Sequence, residues 1–307
     1  LPGGCAIGTR PVDIHLKALS KLGVKYKISQ GYIHATAPKG LKGNKIFFSK
    51  ISVGATENLI IAASLAKGTT ILSNCAIEPE VKDLVNFLNK IGCKINWLSK
   101  RKIKIVGVEH VQEAKYSIMF DRIEAGTYLI AAAATESNLK IQSINPTIIK
   151  TEINILKRIG AKIKIFKNEV KIIGNKKIKN TKIKTAPYPG FPTDLQAQMM
   201  VLLCKANKKS EIKEEIFENR FMHVPELNRL GANITVEKDT ATIIGNQTFK
   251  GAQVMASDLR ASISLVLAAM NANGQTTLNR VYHLDRGYEN IEKTLGSLGV
   301  NIKRQKN

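Results

Sequence analysis

Paired cysteines are missing from this sequence. Its four, Cys5, Cys75, Cys93 and Cys204, are scattered without CxxC or Cys/His ligand spacing, which excludes a disulfide framework and a zinc site and leaves reduced thiols. No HExxH or paired histidine occurs either, so no metal or other cofactor is expected. No run approaches the roughly 20 apolar residues of a membrane span, residues 59–66 being the longest candidate, and no charged-then-apolar leader opens the sequence. The cytoplasm is the expected compartment, and no membrane partner is expected.

Carboxylates are also scarce. Asp and Glu total 24 against 47 Lys and Arg, a net charge of +23, which raises nucleic-acid binding. The lysines argue against it by their placement. In Lys102-Ile103-Lys104-Ile105 and Lys162-Ile163-Lys164-Ile165, alternation puts lysine on one face of a strand and isoleucine on the other, as in a half-solvated sheet. Most of the charge is therefore read as solvated background that favours anionic metabolites. With 307 residues, 44% of them hydrophobic, the chain can bury two cores.

A signature then recurs: a helical run ending in Leu/Ile-Gly, a small residue and an alternating strand. Its glycines fall at 23, 92, 160, 231 and 299, an interval of 68–71 residues. Gly at this place suits a left-handed helix C-cap. Amphipathic helices are expected over 12–21, 81–90, 148–158, 224–229 and 291–297. Nearly all-apolar ones are expected over 58–66, 128–134, 198–206 and 263–272. Each unit reads strand, helix, strand, helix, strand, strand, with buried helices inside and sheets outside. The fold class is α/β (α+β), with two domains. Residues 1–119 form an incomplete cysteine-loop domain of one and a half repeats, and 120–307 a three-repeat domain. The period places the missing half repeat before Leu1, so an N-terminally truncated chain is expected.

Among candidate sites, Pro2-Gly3-Gly4-Cys5-Ala6-Ile7-Gly8-Thr9-Arg10 surrounds a thiol with glycines and adds an always-charged guanidinium. That suits chemistry on an anion, though a tight turn or a filler cysteine would look the same. Lys50-Ile51-Ser52-Val53-Gly54 precedes an apolar helix and reads either as an anion site or as a Ser cap. Asp194, delivered by a proline-rich loop, reads by spacing alone as a helix cap. Asp258/Arg260 and Asp285/Arg286 read as structural ion pairs. His223 reads as a packed histidine. Together, however, these sites bring guanidiniums for phosphate, carboxylates for proton transfer, and a thiol.

The cysteine loop through Asp13, Lys50–Thr56, Asp121–Thr127, Phe191–Gln198, Phe217–His223, Asp258–Ala261 and Asp285–Glu289 resemble, in order along almost the whole chain, the UDP-N-acetylglucosamine 1-carboxyvinyltransferases of the enolpyruvyl transferase family. The resemblance implies a two-domain inside-out α/β barrel. It further implies transfer of enolpyruvyl from phosphoenolpyruvate to the 3′-hydroxyl of UDP-N-acetylglucosamine, a step toward peptidoglycan. By matching positions, Cys5 is the expected proton donor and site of a covalent phosphoenolpyruvate adduct, on a loop that acts as a lid. Asp194 orients or deprotonates the hydroxyl. Arg10 and Arg286, helped by Arg260, hold phosphate and carboxylate. Arg10, Pro11, Val12, Asp13, Ile14, Lys50, Ile51, Ser52, Val53, Asp194, Ile216 and Arg220 grip substrate, with Asp258 in support. The family carries a further segment before these residues with a Lys-Asn pair and an arginine, so this chain alone is expected to be poorly active. The other readings are an inactive remnant, or an RNA-end-processing or nucleic-acid-binding protein of the same architecture.

Overall fold

A computed structural model describes residues 12–305. By its contacts the chain divides into two compact units, residues 12–119 with Pro187–Pro189, and Phe120–Ala186 with residues 190–305. The first opens with α1 (Asp13–Lys21) and the antiparallel hairpin β1 (Lys25–Ser29) and β2 (Tyr32–Thr36). A full repeat follows: β3 (Lys45–Phe47), α2 (Val53–Ser64), β4 (Thr69–Ser73), α3 (Pro79–Lys90), β5 (Lys94–Ser99) and β6 (Lys102–Val106). Its sheet runs β3-β4-β6-β5, parallel at the first pair and antiparallel after it. The alternation in β6 works as read, with Ile103 and Ile105 fully buried and the lysines outside.

The second unit contains α4 (Arg122–Ala134), β7 (Leu139–Gln142), α5 (Lys150–Arg158), β8 (Lys162–Ile165), β9 (Glu169–Ile173) and β10 (Lys182–Lys184). After a 3₁₀ turn, Thr193–Leu195, come α6 (Gln196–Cys204), β11 (Ser210–Lys213), α7 (Val224–Arg229), β12 (Ile234–Glu237) and β13 (Thr240–Ile243). Then β14 (Phe249–Lys250), β15 (Gln253–Met255), α8 (Leu259–Met270), β16 (Ala272–Asn273), β17 (Thr277–Asn279), a 3₁₀ segment Val281–Arg286 and α9 (Ile291–Ser297) close it. The apolar helices pack on one another, α4 on α6 and α6 on α8, and every residue of α6 is buried. A helix without a polar face has no other stable place, so sheets and amphipathic helices take the outside.

All five repeat glycines have φ between 93° and 110°. The residue after each donates back to the third-from-last helical carbonyl, as Val24 N does to Leu19 O and Val300 N to Leu295 O, which is the Schellman closure. Two expectations fail. Residues 107–119 hold no opening strand for the second repeat, and residues 300–305 hold no closing pair, although Val300 and Ile302 still pack on the core. Within β8, an edge strand, Ile163 is buried but Ile165 is about half exposed, so the lysine–isoleucine alternation buries only one of its two isoleucines.

Candidate active site

Asp194 is the centre of a charge cluster inside the second unit. It lies in the 3₁₀ turn that leads into α6, and its Oδ1 accepts from Arg220 Nη2 at 2.7 Å and stands 3.3 Å from Arg260 Nε. Arg220 is almost buried, at 5% side-chain exposure, while Asp194 keeps 40% open to solvent. Loss of water pushes the carboxyl toward protonation, but the Arg260 and Arg220 guanidiniums, with Arg122 behind them, outweigh it and hold the group below its usual range. Asp194 is thus a fixed anion, accepting rather than basic while both arginines stay on it. Arg220 lies over the Phe217 ring, 5.5 Å from its centroid. Burial pushes the Arg260 proton off, yet Asp194 more than compensates and its pKa rises.

Spacing alone made Asp194 a helix cap, and the structure corrects this. Asp121 and Asp258 are the caps: Asp121 Oδ1 accepts from Ile123 N and Glu124 N, and Asp258 Oδ1 from Arg260 N and Ala261 N. The ion pairs read from neighbouring residues are also corrected. Arg260 leaves Asp258 for Asp194, and Asp285 is held by Arg304 at 2.6 and 3.0 Å. Adjacent side chains in a helical turn point apart, so such pairs form across elements instead. Arg286 is exposed at the end of the 3₁₀ segment, beside Asp285. His223 packs as expected, with Nε2 3.2 Å from Met200 Sδ.

Asp194 depends on a glycine. A Cβ added at Gly126 in α4 would come 2.5 Å from Leu195 Cδ1, and Leu195 is fully buried. Alanine would gain about 1 kcal/mol in helix propensity, against about 1–3 kcal/mol of overpacking. Gly126→Ala is therefore expected to lower the melting temperature by a few degrees. A raised melting temperature would mean that Leu195 turns aside freely.

One buried carboxylate was not singled out by the sequence. Glu214, 3% exposed, accepts from Ile216 N at 2.8 Å, Phe217 N at 3.2 Å and Thr193 Oγ1 at 2.9 Å. A single carboxylate thus ties the Ile216 loop to the residue before Asp194. Only a charge in a strand end, Lys213-Glu214-Glu215, hinted at it.

In the first unit, Val12 precedes α1, and Asp13 at its first turn faces Lys17 at 3.3 Å. Ser52 caps α2 by accepting from Ala55 N at 3.2 Å, so the Ser-cap reading of 50–53 holds. His15, just after Ile14, lies against Gly54, where an added Cβ would stand 3.2 Å from its Nε2. The 12–14 and 50–53 segments are thereby brought together. Cys5, Arg10 and Pro11 lie outside the described residues. Burial pushes the Cys75 and Cys204 thiols up to about 12, so neither is a nucleophile. Among the described residues no group of His, Cys, Asp and Glu could hold a metal, and no helix is long and apolar enough to cross a membrane.

Apolar helices wrapped by repeated sheets, with one carboxylate among guanidiniums at their amino ends, define a class that comparison makes specific. A model of EPSP synthase (3-phosphoshikimate 1-carboxyvinyltransferase) matches residues 1–295, and the chain belongs to this family of enolpyruvyl transferases. A UDP-N-acetylglucosamine 1-carboxyvinyltransferase of Pelagibacter ubique (strain HTCC1062) is 70% identical over 304 residues, covering 99% of this chain and 73% of the relative. One from Desulforapulum autotrophicum is 52% identical over 307 residues, again 73% of its length. Solved structures share the fold. The enolpyruvyl transferase NikO from Streptomyces tendae has a TM-score of 0.88 at 24% identity, over 97% of this chain and 73% of that one. EPSP synthase from Acinetobacter baumannii has 0.76 at 18%, over 99% and 74%.

Proposed function

We propose that this chain transfers the enolpyruvyl group of phosphoenolpyruvate to the 3′-hydroxyl of UDP-N-acetylglucosamine, releasing phosphate, on the way to peptidoglycan. The observation that carries the reading is Asp194 clamped by Arg220 and Arg260 at 2.7 and 3.3 Å. Transfer requires the hydroxyl oxygen to bond C2 of phosphoenolpyruvate while C3 gains a proton. The tetrahedral ketal then expels phosphate as C3 gives a proton back. Asp194 orients the hydroxyl and takes its proton, and Cys5 is the proton donor at C3 and the residue that forms the covalent adduct.

The clamp gives this a trigger. Incoming phosphate and carboxylate compete with Asp194 for Arg260 and Arg220, and a carboxylate that loses those partners becomes more basic. Arg10 and Arg286 complete the anion grip. Residues 10–14, 50–53 and Ile216 hold the nucleotide sugar, and Asp258 supports Arg260 by fixing the start of α8. On this reading the reaction belongs in the cytoplasm, where it would draw on two water-soluble metabolites, upstream of wall assembly and so of cell shape, growth cycle and division.

Ligand-induced melting shifts test this. UDP-N-acetylglucosamine at a hundredfold excess over its Kd is expected to add about 2.7 kcal/mol, a shift of several degrees, with none from RNA. Stabilisation by RNA and not by the sugar nucleotide would sink the reading.

A further inference from the structure

Asp194 and Arg286 sit on different elements of the second unit, the turn before α6 and the 3₁₀ segment after β17. Three buried polar side chains run between these elements. Gln198 of α6, fully buried, donates through Nε2 to the main-chain oxygen of Asp194 and to Thr127 Oγ1 of α4, each at 3.0 Å. Thr127 Oγ1 lies 2.8 Å from the hydroxyl of Tyr288, which is 1% exposed and follows Arg286 by two residues. Thr127 Oγ1 accepts from Gln198, and either hydroxyl can donate the hydrogen bond between Thr127 and Tyr288. Burial pushes the Tyr288 phenol up and keeps its proton in place.

The 3₁₀ segment is fixed from two further sides. A Cβ at Gly287 would stand 2.8 Å from Leu259 Cδ2, so the segment lies directly on α8. Arg304 grips Asp285 with two hydrogen bonds. The trio is not there for stability alone. Gln198 Oε1 is buried with no hydrogen-bond partner among the described residues, and a network with an unmet acceptor is worse than an apolar filling of the same shape.

We propose that Tyr288, Thr127 and Gln198 are positioning residues, a buried relay through α4 that sets the separation of Asp194 from Arg286. The proposal rests on the enolpyruvyl-transfer reading, in which the two groups act on one substrate pair. A displacement near 1 Å costs about 100-fold in rate, so the relay needs only to prevent small movements.

Steady-state kinetics on Tyr288→Phe, Thr127→Val and Thr127→Ser, each with its melting temperature, decide it. Phe and Val, which fill the space without the hydroxyl, are expected to lower kcat/KM for phosphoenolpyruvate about 10–100-fold, with little change in KM for UDP-N-acetylglucosamine. Ser, which restores the hydroxyl, is expected to keep near-normal kinetics. Adding Tyr288→Phe to Arg286→Lys is expected to cost nothing more, since the lost positioning acts through Arg286. A merely structural role would lower the melting temperature, affect both substrates alike and add fully to Arg286→Lys. That pattern, or an unchanged kcat/KM in Tyr288→Phe, overturns the relay. Turnover too slow to measure in the unsubstituted chain is the outcome expected if the family's further segment is required, and the ligand-induced melting shift then tests the proposed function by itself. A crystal structure of Tyr288→Phe then decides the relay alone: residues 281–286 displaced relative to Asp194 support it, and an unmoved backbone overturns it.

Discussion

Asp194→Asn is expected to lower turnover with phosphoenolpyruvate and UDP-N-acetylglucosamine by about 10²–10⁴-fold, the usual worth of a positioned proton-transfer group. The amide keeps an oxygen facing Arg220 but loses the negative charge, so the guanidiniums at 2.7 and 3.3 Å hold a neutral acceptor that cannot take a proton. Stability should change less. Asp194 is 40% open to water, which screens the pair, and a cost of about 1 kcal/mol is expected. Arg220→Met provides the contrast, because it frees one side of the carboxylate and removes a nearly buried cation. Its pH–rate profile should shift to higher pH as Asp194 loses a partner. Turnover of Asp194→Asn within a few-fold of the unsubstituted chain would remove the aspartate from the chemistry.

The second large effect is on stability and comes from His223. Burial lowers its pKa to about 4, against an attractive pull from Asp258 and a further lowering from Arg220. In the unfolded chain it titrates near 6.5. Between those values the unfolded state binds a proton that the native state refuses, so stability rises with pH through the window and falls as pH drops from 6.5 to 4. The loss is roughly 3 kcal/mol by pH 4. Glu57 and Glu124, raised chiefly by burial, act in the opposite direction in the acid range, and His15, also lowered chiefly by burial, acts in the same one. The whole-protein curve therefore mixes signs, and the comparison needed is with His223→Leu. Urea denaturation at pH 7 and pH 4.5 should show the gap between the two proteins moving by about 2–3 kcal/mol in favour of the leucine at low pH. A gap that does not move would mean that His223 is protonated in the fold.

What the sequence displayed well were constraints that act on one residue at a time. A left-handed helix end requires glycine, so Gly23, Gly92, Gly160, Gly231 and Gly299 marked the repeat, and all five have positive φ. A helix with no polar face must be enclosed, so α4, α6 and α8 announced the interior. Pairings were hidden, because they join residues distant along the chain. Asp194 meets Arg220 and Arg260, whereas adjacency had suggested Asp258 with Arg260 and Asp285 with Arg286. Gln198, Thr127 and Glu214 are single polar residues in stretches whose pattern says only helix or strand, and nothing local separates a buried hydrogen-bonding side chain from a solvated one. The resemblance supplied Asp194 and its arginines, while Glu214, as a brace under the Ile216 loop, required coordinates.

The three enclosed helices of the second unit begin in unequal ways. Asp121 and Asp258 each spend their carboxylate on the amides of their own first turn, while the N-cap of α6, Leu195, makes no side-chain cap bond and Asp194 gives its charge to two arginines. Repetition makes this divergence tolerable. Two of the three helices are closed by their own aspartates, and at the third the neighbouring carboxylate faces the arginines instead. Asp194 stands, in that sense, where its siblings are caps, and on the enolpyruvyl-transfer reading this leaves its charge for the substrate.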